Sequence, residues 1–95
     1  MNEELTELTE ILMSNDLFNN KNKSFTVRQG IRKYSKDCNM INSDTGEIKI
    51  ITITNQNILK AKELDKEYFN YLKYNFYLNL DSEDYVTIVH YNIKK

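Results

Sequence analysis

The chain of 95 residues contains no proline and no tryptophan, two glycines, one cysteine and one histidine. Each scarcity excludes something. A phosphate loop or a dinucleotide fingerprint needs clustered glycines so that the backbone can approach phosphate closely; Gly30 and Gly46 lie sixteen residues apart and assemble neither. Cys38 alone forms no internal disulfide, and with His90 as the sole imidazole the chain cannot supply a zinc site of Cys and His ligands. The expectation is a reduced compartment, no structural metal and no cofactor. No apolar run approaches the roughly 18–20 residues of a membrane span, and "MNEELTELTE" is acidic where a secretory signal would be basic and then apolar. A cytoplasmic protein with no membrane partner is expected.

What is present reads as a folded domain. The hydrophobic fraction is 40% and the charged fraction 28%, far from the composition of disordered chains. A chain this short cannot divide its apolar residues between two cores, so residues 1–95 are expected to form a single domain. Asn, Lys, Ile and Tyr are abundant, and Lys outnumbers Arg eleven to two. These residues have AT-rich codons, which points to a low-GC bacterial genome or to a phage or mobile element that lives in one.

A formal net charge of −1 hides an asymmetry. Residues 1–20 hold Glu3, Glu4, Glu7, Glu10 and Asp16 and no base, whereas residues 21–40 hold Lys21, Lys23, Arg28, Arg32, Lys33 and Lys36 against Asp37 alone. The second block is an electrostatic feature and contains both arginines.

Periodicity predicts an α+β domain with element order α-α-ββ-α-ββ: an antiparallel sheet of about four strands, made of two hairpins, with two to three packed helices. Leu5, Leu8 and Leu12 at i, i+3, i+7 predict an amphipathic helix over residues 2–14. Residues 14–24 read as a loop with Leu17 and Phe18 tucked beneath it. Val27, Ile31, Tyr34 and Cys38 share one helical face, so a helix is predicted over 26–36 despite Gly30, with Arg28, Arg32 and Lys36 as a basic stripe. Ser43-Asp44-Thr45-Gly46 is turn chemistry and predicts a hairpin of 38–42 with 47–54; the isoleucines on both phases of its second strand predict a central strand covered on both faces. Thr54 or Asn55 is a helix cap, and Ile58, Ala61, Leu64, Tyr68, Tyr71 and Leu72 continue a helix to residue 72. Residues 74–80 and 85–93 then alternate as a second hairpin about the polar turn "DSED".

No constellation commits the chain to a chemistry. Cys38 and His90 form a thiol and imidazole pair only if the fold brings them together, and no local signature supports it. "NSDTGE" places its glycine fifth, where a calcium loop needs it sixth, and Ile53 stands where the closing glutamate belongs. The reading is therefore non-enzymatic binding of a macromolecule. Given the AT-rich composition, the leading expectation is a phage or mobile-element protein that binds a host protein, nucleic-acid-binding complexes included, and inhibits it sterically, as anti-CRISPR and other anti-defence inhibitors do. The alternative is a small DNA- or RNA-binding regulator using the basic segment 21–36, against which the acidic pI of about 5.8 argues. Candidate binding residues are Arg28, Arg32, Lys33 and Lys36, together with Tyr71, Tyr74 and Tyr77; Tyr77 stands between Asn75 and Asn79 on the predicted outer strand face. Tyrosine and arginine suit an interface because they bury large area and keep a polar handle. A homodimer through the edge of the final hairpin is a further expectation, opposed by Lys94 and Lys95.

Overall fold

The structure, a computed structural model, describes residues 6–21, 24–76 and 81–94, with the backbone alone over 73–76. Five strands, β1 (Leu8–Met13), β2 (Phe25–Gln29), β3 (Tyr34–Asn42), β4 (Ile48–Lys60) and β5 (Tyr85–Ile93), form one sheet of order β1-β3-β4-β5-β2. One helical turn, α1 (Asn15–Phe18), follows β1, and a longer helix, α2 (Lys66–Phe76), precedes β5. β1 runs parallel to β3 and the remaining neighbours are antiparallel, so the sheet is mixed and curls into a half-barrel. The predicted two-hairpin antiparallel sheet and its α-α-ββ-α-ββ order are thereby overturned. No helix among the described residues is long and apolar enough to cross a membrane.

The local reasons separate the elements read correctly from those that were not. Asn42 is fully buried and its Oδ1 accepts from the backbone N–H of Asp44 and Thr45 at 2.9 and 3.2 Å, while Gly46, at φ +80°, donates to the Asn42 carbonyl. This side-chain turn joins β3 to β4 where the hairpin was expected. Residues 8–13 are not helical: alternation sends Ile11 and Met13 inward and leaves both Leu8 and Leu12 exposed, so the leucines lie on the outer side of an edge strand rather than on a buried helix face. The part of that predicted helix before Thr6 lies outside the described residues. The helix expected over 26–36 is also absent. β2 buries Phe25, Thr26 and Val27 in succession, and Gly30 ends it at φ +91°, a backbone region that glycine enters without steric cost. Thr54 and Asn55 cap nothing; they lie within β4, which runs on to Lys60 before a short 3₁₀ turn over Ala61–Glu63. α2 extends through 74–76, where a strand was expected, and residues 77–80 of that expectation lie outside the described residues. β5 is a strand as read, but it pairs with β4 and β2 and is therefore interior, so the dimer edge proposed for it does not exist.

Strand alternation divides the core in two. Ile11, Met40, Cys38, Ile51, Val89 and Tyr91 pack in the concave interior, stoppered by Phe18 of α1. Phe25, Val27, Val86 and Ile88 point the other way and are covered by Tyr71 and Leu72 of α2. Arg28 alternates with Val27 and so faces the concave side, where its guanidinium donates to the Leu12 carbonyl at 2.6 Å. Since β2 and β1 are the two outer strands of the sheet, this bond spans the mouth of the half-barrel. Burial lowers the Arg28 pKa from its ordinary value without removing the charge.

A charged donor bridging the edges is worth about 2 kcal/mol when its loss strands an acceptor. Arg28→Ala is therefore expected to lower the unfolding free energy by about that amount in urea titration, with Arg28→Lys recovering only part, because an ammonium lacks the planar fork. An unchanged midpoint for Arg28→Ala would show that the edges are held by packing alone.

Candidate binding surfaces

The basic residues that sequence periodicity placed on one helical stripe are separated by the fold. Arg28 is committed to the mouth of the half-barrel, Arg32 and Lys33 lie in the crossing between β2 and β3, and Lys36 is on β3. That crossing is well tethered. Gly30 donates its backbone N–H to the Tyr85 carbonyl at 2.8 Å, and Arg32 donates its own to Thr87 Oγ1 at 2.9 Å, whose hydroxyl donates on to the Gly30 carbonyl. The Arg32 side chain is oriented by a bond from Nε to the Gln29 carbonyl at 3.1 Å.

Beyond this crossing the sheet splits. The β3–β4 ladder runs from Ile41↔Ile48 to Asp37↔Thr52 and stops there. On one side β1 advances from Leu8 to Glu10 while its β3 partner moves from Tyr34 to Asn39; on the other, the β4–β5 register shifts between Ile53 and Asn55. Both irregularities bend the strands apart at the same level. Contact resumes through a side chain: Gln56 Oε1 accepts from the Tyr34 N–H and Gln56 Nε2 donates to the Tyr34 carbonyl, each at 2.9 Å. A primary amide thus stands in for a strand's peptide group. The split holds a cleft of about 410 Å³ lined by Glu7, Lys33, Tyr34, Lys36 and residues 53–56, and beside it lies a second of about 320 Å³ lined by Arg32, Lys33, Gln56, Asn57 and Ile58. Glu7 lies 3.7 Å from Lys33 and accepts from Ser35 Oγ at 2.9 Å; Lys36 has no ion-pair partner among the described residues.

A second surface is apolar. On the convex face the register sets Leu12, Ile41 and Ile48 in one cross-strand row, with Ile50 beside it on β4. Leu12 is 58% exposed, Ile48 56% and Ile50 52%. The expectation that β4 is covered on both faces therefore fails for this end of the strand. The cluster beneath α2 on the convex face draws on β2, β5 and, through Leu59, the far end of β4, which leaves the apolar area at β1, β3 and the start of β4 bare.

The tyrosine candidates divide differently. Tyr71 is buried, with its hydroxyl 3.0 Å from Thr26 Oγ1 and its ring 5.3 Å from Phe25. Tyr74 lies in α2, and Tyr77 lies outside the described residues. Cys38 and His90 pack in different places. The thiol donates to the Ser35 carbonyl at 3.1 Å, and burial pushes its pKa up. The imidazole sits between Phe25 and Tyr68, with Nε2 3.4 Å from the Tyr68 hydroxyl. No group of three or more His, Cys, Asp or Glu among the described residues could hold a metal ion. Sequence reading missed Glu7, Asn55 and Gln56, whose amide and carboxylate groups carry no periodic signal. It saw the isoleucines of β4 but not that one face of them is bare.

Comparison with protein-family models, curated protein sequences and solved structures finds no match. Function is therefore read from the chemistry of these two surfaces.

Burial holds the Tyr91 phenol above its ordinary 10.0, at about 12, and raises Tyr71 as well. Both phenols are neutral in folded and unfolded chains below pH 10, so the stability is full there; above it the unfolded chain ionises first and stability falls as pH rises towards 12. Urea midpoints measured across that range should decline, and Tyr91→Phe should flatten the decline. A wild-type midpoint constant over the range would contradict the burial of these hydroxyls.

Proposed function

We propose that the protein is a small non-enzymatic binding protein that seats the convex row Leu12, Ile41, Ile48 and Ile50 on another protein and acts by covering a surface that its partner needs. The uncovered apolar row carries this reading. Large apolar side chains exposed singly are ordinary, but a contiguous row across three neighbouring strands leaves a flat area dry only when something covers it. Its surroundings select the occupant. Glu10 shares the outer face of β1 with Leu12, and Glu47 immediately precedes Ile48; Asp37 is paired with Lys94 at 3.4 Å. An apolar row flanked by Glu10 and Glu47, neither of them in an ion pair among the described residues, suits a partner whose apolar strip is flanked by Lys or Arg and disfavours a second copy, which would bring acid to acid. Nucleic-acid-binding proteins carry such basic surfaces, and the AT-rich composition supports a phage or mobile-element inhibitor of a host protein of that kind.

The double variant Leu12→Asp/Ile48→Asp changes two exposed positions and is expected to shift stability by no more than about 1 kcal/mol. Immobilised beside the wild type and exposed to a low-GC bacterial lysate, it should lose a stoichiometric, basic protein that the wild type retains. The purified partner should bind the wild type alone and lose its own activity on doing so. Retention of the same proteins by both baits would overturn the reading, as would sedimentation showing that the wild type dimerises through this face and the variant does not.

A further inference from the structure

We propose that the two joined clefts beside the split between β3 and β4 form a site for a nucleotide unit, with phosphate held between Lys33 and Lys36 and the base lying in the smaller cleft against Ile58 and the Arg32 guanidinium. This site is separate from the convex row and does not depend on it.

The compartments differ in chemistry in the way a nucleotide does. The larger, about 410 Å³, is flanked by two ammonium groups on flexible stems, which bind phosphate as point charges. The smaller, about 320 Å³, combines an apolar wall at Ile58 with a guanidinium, and planar guanidinium groups stack on aromatic rings. Ile58 is 42% exposed and supplies the apolar wall of this cleft, and Arg32 is held by its Nε bond to the Gln29 carbonyl, which orients its planar head from the loop. An acidic peptide would use the cations but not the apolar wall. The clefts share Lys33 and Gln56 as lining residues and therefore adjoin. The walls are also preformed: the Tyr34–Gln56 amide bridge holds one side and the Gly30–Thr87–Arg32 bonds hold the other.

Glu7 completes the picture. Its carboxylate lines the larger cleft 3.7 Å from Lys33 and so stands where a ligand oxyanion would. It competes with phosphate, and its removal should tighten binding.

The test is an amide NMR titration of the full chain with adenosine monophosphate, a short oligodeoxythymidylate, inorganic phosphate and an oligoglutamate peptide. The nucleotide should move the amides of Arg32, Lys33, Lys36 and Asn57; phosphate should move Lys33 and Lys36 alone and bind more weakly. Lys33→Gln/Lys36→Gln should weaken nucleotide binding about tenfold or more while the spectrum keeps its folded dispersion, and Glu7→Gln should strengthen it. Tighter binding of the oligonucleotide, with a steep salt dependence, identifies single strands as the source of the nucleotide; equal affinity identifies free nucleotides. Oligoglutamate binding as tightly as the nucleotide would overturn the proposal in favour of an acidic peptide site. Phosphate matching the nucleotide would remove the base compartment, and no movement at millimolar nucleotide would remove the site.

Discussion

The guanidinium of Arg28 joins the two ends of one sheet. β2 and β1 are its outermost strands, and a side chain that leaves the first and reaches the Leu12 carbonyl of the second requires the sheet between them to be curled. Sheets twist for steric reasons, but a curl tight enough to bring the edges within one side chain of each other needs something to fill the mouth. Arginine meets the need twice over, since its stem packs in the interior while its planar head supplies donors to a main-chain oxygen that has no further strand to pair with. Met13 Sδ lies 3.3 Å from the same guanidinium nitrogen, so the head is bedded on β1. The edges themselves, ordinarily a liability, are protected by the same arrangement: β1 faces Arg28, and α2 brings Tyr71 to Thr26 on β2.

The curl has a consequence at the other side of the barrel. β4 runs for thirteen residues because its first half must pair with β3 and its second half with β5, and a strand that long cannot follow a tight curl without a break. The register shift between Ile53 and Asn55 is that break, matched by the excursion of β3 between Tyr34 and Asn39. Splitting a sheet exposes peptide groups, which cost free energy unless they find partners. Gln56 supplies one by offering its own amide to Tyr34 in peptide geometry. The cleft is thus a by-product of closure that a side chain keeps open, and its position near the Arg32–Lys36 segment gives it cationic walls.

The elements legible in the sequence are those whose causes are local. The Ser43–Gly46 turn is specified by Asn42 and Gly46 within five residues, and the alternation of β5 is specified by its own apolar pattern. Burial of Phe18 was legible because a large apolar residue amid asparagines has few alternatives, although the helical turn α1 carries it where a loop was expected. What was illegible depends on partners distant in sequence. Leu8 and Leu12 satisfy a helical spacing and a strand equally well, and the choice is made by parallel pairing with β3, some 26 residues away at Leu8↔Tyr34. Thr54-Asn55-Gln56-Asn57 has the composition of a cap and first turn, yet pairing with β5 keeps it extended. Arg28 looked like a surface cation because sequence gives no sign that a carbonyl waits across the barrel.

The same dependence explains why the two surfaces lie where they do. Closing the mouth turns Arg28 inward and takes it out of the basic segment, so the remaining cations are those of the crossing and of early β3. That crossing begins where β2 ends, and β2 is fixed by Arg28 at one position and by Gly30 N–H to Tyr85 at another. It ends at Tyr34, fixed by Gln56. One wall of the cleft is therefore tied to the Arg28–Leu12 bond and the other to the split, whereas the row Leu12, Ile41 and Ile48 sits on the outer face of β1, β3 and β4. Loosening the Arg28–Leu12 bond would shift the Arg32–Lys36 segment relative to residues 53–58 of β4 while leaving that convex row, held by the β1–β3–β4 ladders, in register; the cleft is sensitive to how tightly the sheet is curled.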